Sequence, residues 1–414
     1  MPRAFKVRPN KENRISSPMK NLPVITILVF LCQQVAFGQA SPSFNYIVGT
    51  QTFEPKYQFT NGTRLVETAQ AIGKLNSNII KFSMAPNAFE HYRLRRNPDI
   101  KSLLDFAKLD PSMQAVFKSP FSHYFIWAYR HSAADNNYWR EGMSTEDKNK
   151  EYREIYEFAS YLLTTYGASK KSFYLGHWEG DWSLLGGYDS HAEPTEVAIG
   201  GMIDWLNVRQ KAICDARRAH PDSKASVYSY CEVNLVKKSI AGKTTVTNRV
   251  LPQVDVDFVS YSCWDSIEIS HGESAMIAQI CKSLDYIQSK TKRPISREKN
   301  VFIGEFGFPL DVVKTQENQV RLSKSFIQAT VEWGCPFILY WQIYENEANE
   351  SENGRGQGLI DNSGRKTLLH DFLQKFLNES NGYIVKSEGQ KGTPPTETEY
   401  RRFAVRLLSG GKLD

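Results

Sequence analysis

The sequence predicts an α/β chain closed into a single (β/α)8 barrel, and three observations carry that expectation. Eight short β-prone runs alternate with helix-patterned segments from residue 44 to residue 377, the alternation that builds parallel sheets. No glycine-rich dinucleotide loop follows the first run, which argues against a doubly wound open sheet. A chain of 414 residues with 41% apolar and 12% aromatic content can bury one large core, and such barrels use this length as one domain.

The β-prone runs are Phe44–Gly49, Asn78–Met84, His123–Tyr129, Ser172–His177, Ala225–Cys231, Val256–Tyr261, Val301–Gly304 and Pro336–Trp341. Each is rich in branched and aromatic residues. Helical spacing of apolar residues runs through Thr63–Leu75, Thr145–Tyr166, Glu196–His220, Glu273–Ser289, Gln316–Trp333 and Lys366–Leu377. Residues 236–250, rich in Lys and Thr, show the least of it. Segments 85–122 and 131–150 read as long inserts beside the barrel mouth. Residues 381–414 carry Gly, Pro, Thr and charges with little periodicity, and read as a loosely ordered tail rather than a second domain.

Residues 1–40 read as a secretory signal. Lys20 precedes a short apolar run, and the small residues Gly38 and Ala40 bracket a cleavage position. The run is too short for a comfortable membrane span. The polar, basic stretch 1–18 points to Met19 as the true initiator. Cys32 follows Phe30 and Leu31 rather than small residues, so no lipid attachment is expected. The expected product is secreted or periplasmic, without stable membrane insertion, and its barrel covers residues 41–380.

A net charge of +6 without a basic stripe gives no electrostatic case for nucleic acid. Cys214, Cys231, Cys263, Cys281 and Cys335 are scattered and odd in number. They do not suggest a disulfide framework, though a single bridge stays open. No Cys/His spacing suits zinc, and neither a metal nor a cofactor is expected.

Two segments carry the chemistry: Phe173-Tyr-Leu-Gly-His-Trp-Glu179-Gly-Asp-Trp182 and Val301-Phe-Ile-Gly-Glu305-Phe-Gly-Phe-Pro309. Each is an apolar run ending abruptly on a glutamate among glycines and aromatics. In such a barrel the strand C-termini and following loops build the site. Glu179 then ends the fourth strand and Glu305 the seventh, where they can face one another. Two facing carboxyl groups can perform acid/base and nucleophilic chemistry on an acetal. Glu232 at the end of the fifth strand, Asp181 and Asp265 are rival acids.

This placement resembles clan A glycoside hydrolases, the (β/α)8 superfamily that includes cellulases, mannanases and β-galactosidases; Ile303-Gly-Glu305-Phe-Gly307 is similar to their nucleophile strand. The resemblance implies Glu179 as acid/base, Glu305 as nucleophile, a carbohydrate substrate and retaining double displacement. It further implies Tyr261 as a hydrogen-bond donor to the nucleophile and Trp341 as an aromatic platform. The superfamily's asparagine before the acid/base is replaced here by Trp178, leaving His177 or Asn234 to contact the sugar's 2-hydroxyl. Trp178, Trp182 and Trp264 are candidates to line subsites. Lys81 and Arg130 are candidate partners for the nucleophile's charge or a sugar hydroxyl, and Gln342 and Glu345 add polar groups after the last strand. The missing asparagine also admits a catalytically silent barrel that binds glycan or protein. A barrel enzyme of other chemistry, a metal-dependent hydrolase or aldolase, would lack a strand-end His cluster.

Overall fold

A computed structural model describes residues 44–133, 135–292, 299–347 and 354–410. The expected signal, residues 1–40, lies outside them. Eight parallel strands close into a ring in chain order. They are β1 (Val48–Gln51), β2 (Ile79–Met84), β3 (His123–Ala128), β4 (Ser172–Gly176), β5 (Ser226–Val233), β6 (Phe258–Ser262), β7 (Val301–Phe306) and β8 (Ile338–Tyr340). Closure is made by β1 on β8, with Val48 opposite Ile338 and Thr50 opposite Tyr340. The expected barrel is therefore the observed one.

The long helices begin where a Ser or Thr side chain accepts from the first-turn backbone, a cap that satisfies otherwise orphaned N–H groups. Thr63, Ser144, Thr195, Thr315 and Thr367 do so for Arg64–Lys74, Thr145–Thr165, Glu196–Ala219, Gln316–Trp333 and Leu368–Lys391. A further helix, Glu273–Lys290, precedes β7.

Two expectations need correction, the start of the first strand and the loose tail, and two segments gain detail. The first strand starts later than expected, because Asn45 Oδ1 accepts from Ile47 N and Val48 N bonds Tyr46 O, making a turn at Phe44–Ile47. Residues 85–122 hold three short helices, Ala88–His91, Leu103–Leu109 and Pro111–Lys118. Residues 236–250 form the short helix Val236–Ile240 and a wide helical turn at Val246–Val250. The expected tail is ordered through its described residues, 381–410: one helix runs on to Lys391, and Glu397–Ser409 forms another. That last helix buries Tyr400, Ala404 and Leu408 at a spacing of four, a stripe too narrow to stand out against its charges. Tyr400 donates to Tyr46 O at 2.9 Å, and Arg401 donates to the carbonyls of Val331, Gly334 and Cys335.

The barrel interior has two layers. Its floor is aromatic: Phe125 stacks on Tyr174 at 4.3 Å between centroids, and Phe337 meets Phe125, Tyr174 and Phe302 within 6 Å. Toward the C-terminal ends the inward positions become polar, with Lys81, Glu232, Ser260, Ser262 and Glu305 all buried. That upper layer carries the site.

Candidate active site

Glu305 reaches the mouth through an irregularity in β7. Phe302 faces the aromatic interior, whereas Phe306 stacks outward on Phe326 of the helix Gln316–Trp333 at 4.4 Å. Strict alternation would give these two positions the same face. The register against β6 and β8 shifts between Ile303 and Phe306, and this bulge turns Glu305 inward. Gly304 makes it possible, since a Cβ there would overlap Ser260 Oγ and lie 2.8 Å from Glu232 Oε2.

Glu179 is aimed by strain rather than by a bulge. It lies between β4 and the short helix Gly180–Leu185 with φ 24° and ψ 76°, a conformation that disfavours side-chain-bearing residues. Glu232 Oε1 accepts from its backbone N–H at 3.0 Å. Gly180 is required just after it, because a Cβ would sit 2.6 Å from Glu232 O. Backbone strain held by surrounding structure clusters at functional positions.

The two carboxyl groups meet at one hydroxyl. Ser262 Oγ lies 2.6 Å from Glu179 Oε1 and 3.0 Å from Glu305 Oε2. Those two oxygens are therefore no further apart than the two contacts combined, so the carboxyl groups lie side by side at the mouth. Glu305 also accepts from Trp264 Nε1 at 3.0 Å and from Lys81 Nζ at 3.3 Å. Lys81 further donates to Glu232 Oε2 at 2.9 Å and Gly304 O at 3.1 Å, and lies over the Trp127 ring. Ser260 donates to Glu232 Oε2 at 2.7 Å. A buried lysine thus has its charge compensated, as burial requires.

Burial pushes Glu305 up to about 7, with Lys81 pulling it down and Glu232 opposing Lys81. Glu179 is raised well above the usual carboxylate range by burial and then by the charge of Glu305. Separated environments of this kind distinguish an acid from an anion.

A cleft of about 460 Å³ opens over the pair, lined by Phe53, Trp178, Glu179, Trp264, Glu305 and Trp341 among others. A second cleft of about 970 Å³ shares Phe53 and Trp178 with it and adds Trp127, Trp182 and Tyr188. The buried Trp341 N–H has no acceptor among the described residues. The five scattered cysteines are free thiols, and no group of three metal-ligating side chains occurs among the described residues.

Glu179, Glu305, Lys81, Trp178, Trp264 and Trp341 are thus brought together; four other candidates are not. Tyr261 donates to Asp265 Oδ1 at 2.5 Å, and its phenol oxygen lies 2.6 Å from the Ser266 hydroxyl. Strand alternation sends Ser260 and Ser262 inward and Tyr261 outward, so the donor to Glu305 is Trp264 instead. His177 packs on Trp205, and its Nε2 accepts from Glu232 N at 3.3 Å. Burial holds its pKa down to about 4. Asn234 Oδ1 accepts from Asp181 N at 3.0 Å, away from the cleft. Arg130 pairs with Asp147 at 3.2 Å and stacks on Tyr138 rather than approaching Glu305.

The rival acids have other work. Asp181 accepts from the backbone N–H groups of Asn234, Leu235 and Val246, pinning the loop after β5. Asp265 accepts from Lys237 N, and Glu232 is wholly buried behind the pair. Glu345 accepts from Asn346, Glu347 and Gln357 backbone N–H groups, and Gln342 Oε1 from Phe53 N. Ser262 and the bulge at Gly304 were not legible: a serine in a strand is unremarkable, and only the Gly-Glu pair hinted at the bulge.

Fold and site together define a (β/α)8 barrel with a paired-carboxyl cleft at its mouth. No family model and no curated protein matches the chain. Solved structures do. A GH5_18 protein from Bifidobacterium longum subsp. longum ATCC 55813 aligns over 85% of this chain and 81% of its own, at 11% identity and a TM-score of 0.54. A GH5_18 protein from Streptomyces cattleya, solved with Manb1-4GlcNAc, covers 84% of this chain and 83% of its own at 11% identity and a TM-score of 0.53. At such identities the likeness is one of fold, and the chemistry has to be argued from the site.

Proposed function

We propose that the protein is an exported glycoside hydrolase that cleaves poly- or oligosaccharides with retention of configuration. One observation carries this reading: Ser262 touches both Glu179 and Glu305, which brings the two carboxyl groups near the roughly 5–5.5 Å of retaining enzymes. The cleft's indole and phenyl rings suit the apolar faces of sugars. The likeness of fold to GH5_18 proteins, one of them solved with Manb1-4GlcNAc, supports a carbohydrate substrate.

In the first step Glu305 attacks the anomeric carbon while Glu179 gives its proton to the departing oxygen. The glycosidic bond breaks and a glycosyl ester forms on Glu305. In the second step Glu179 takes a proton from water, the water oxygen attacks the same carbon, and Glu305 leaves as carboxylate. Lys81 and Trp264 stabilise that leaving charge.

The test is hydrolysis of a panel of aryl glycosides and polysaccharides, with the first-formed anomer read by proton NMR. Retention is expected, together with near-complete loss in Glu305→Ala. An inverted product, or a fully active Glu305→Ala, would overturn the reading. Export is tested separately by the mature N-terminus, expected just after residue 40.

A further inference from the structure

Ser262 does more than mark where the carboxyl groups meet. Its hydroxyl has one proton to give and lone pairs to receive, yet it lies within hydrogen-bond distance of two carboxyl groups at once. Two carboxylates could not both be satisfied by it. The only fully bonded arrangement has one carboxylic acid donating to Ser262 Oγ while Ser262 donates to the other group's anion. Glu305 already accepts from Lys81 and Trp264, so the anion belongs there and the proton on Glu179.

We propose that Ser262 is a positioning residue that fixes which glutamate holds the proton and turns its O–H from one to the other between the two half-reactions. This rests on the double-displacement reading. At rest Glu179–H donates to Ser262, which donates to Glu305. Once the leaving group has taken the Glu179 proton and Glu305 is an ester, the same O–H turns to the Glu179 carboxylate and steadies it as base. Water then gives Glu179 a proton as its oxygen bonds to the anomeric carbon. The ester bond breaks with its electron pair on Glu305, and the hydroxyl turns back. No proton is gained or lost by Ser262.

The other titratable groups facing the pair come from β2, β5 and the end of β6. Lys81 comes from β2 and Glu232 from β5, paired with each other. Tyr230 of β5 and Cys263, just past β6, are held neutral by burial. None of them bonds to both carboxyl groups.

The experiment titrates Glu179 and Glu305 by carbon NMR in δ-13C-glutamate-labelled protein, in wild type and Ser262→Ala, assigned with Glu179→Gln and Glu305→Gln. The pH profile of aryl glycoside hydrolysis is measured in parallel. Ser262→Ala is expected to bring the two apparent pKa values closer by about one unit or more, since a hydrogen bond to a charged group is being removed. The bell should narrow from both sides, and Ser262→Thr should restore it. An unchanged separation, or a uniformly lower profile with unmoved limbs, overturns the proposal. Because the titration needs no turnover, narrowing in a protein without activity would uphold Ser262's role in placing the proton and sink the hydrolase reading instead. Should Ser262→Ala not fold, Ser262→Cys, with its weaker donor, serves the same comparison.

Discussion

Glu179 and Glu305 are the same residue type at the exits of two strands of one ring, yet their surroundings differ in kind. At the exit of β7 a bulge delivers Glu305 among three donors, Lys81, Trp264 and Ser262. At the exit of β4 a strained turn delivers Glu179 to Ser262, the one hydrogen-bond partner of its carboxyl group among the described residues. Both are deeply buried. The difference teaches that, on the double-displacement reading, the number of donors rather than burial separates the anion from the acid.

The sharpest way to break that contrast is to remove the anion. Glu305→Ala should lower kcat on the order of 10⁴-fold or more on every substrate, measured by initial rates. Glu179→Gln should cost roughly 10²–10⁴-fold on natural glycosides. It should cost far less in the first half-reaction with an activated aryl leaving group, which needs no proton. Equal losses on both substrate kinds would erase the distinction.

Charge changes behind the pair should move the acid limb of activity in opposite directions. Glu305 must be ionised to attack, so activity falls as pH drops through its value of about 7. Glu179 must be protonated, so activity falls as pH rises through its own raised value. Lys81→Met removes the cation and should carry the acid limb above 7. It also leaves Glu232 and Glu305 buried without compensation, a cost of about 3–5 kcal/mol in denaturant unfolding. Glu232→Gln frees Lys81 for Glu305 and should carry the limb below 7. Limbs moving the same way in both variants would refute this electrostatic account.

Smallest of all should be Tyr261→Phe. The phenol bonds Asp265 and Ser266 rather than either glutamate. We expect a rate within about twofold of wild type and roughly 1 kcal/mol of stability lost in thermal unfolding.

The contrast also shows what a sequence can and cannot reveal about such a site. The eight alternating runs were legible because strands buried on both faces read as apolar stretches between amphipathic helices. Strand-end glutamates stood out for the same reason, as did Lys81, an ion inside an apolar run. Tyr261 was misread because alternation turns on a single position, and Ser262, beside it, holds the inward place. Arg130 was misassigned because its partners, Asp147 and Glu151, lie on a helix whose facing no strand pattern reveals. His177 and Asn234 were named for a sugar contact, but they fold back on the loops that hold Glu179 in place.

Ring closure has a consequence for how the chain is made. β1 leaves the ribosome before the other seven strands, yet its partner β8 lies 290 residues later. At roughly 5–20 residues per second its edge waits unpaired for on the order of tens of seconds. Tyr400 and Arg401, which fasten the last helix to Tyr46 and to the carbonyls before β8, emerge later still. During synthesis the nascent chain therefore presents an open sheet that a holding chaperone, or a neighbouring copy, has time to find.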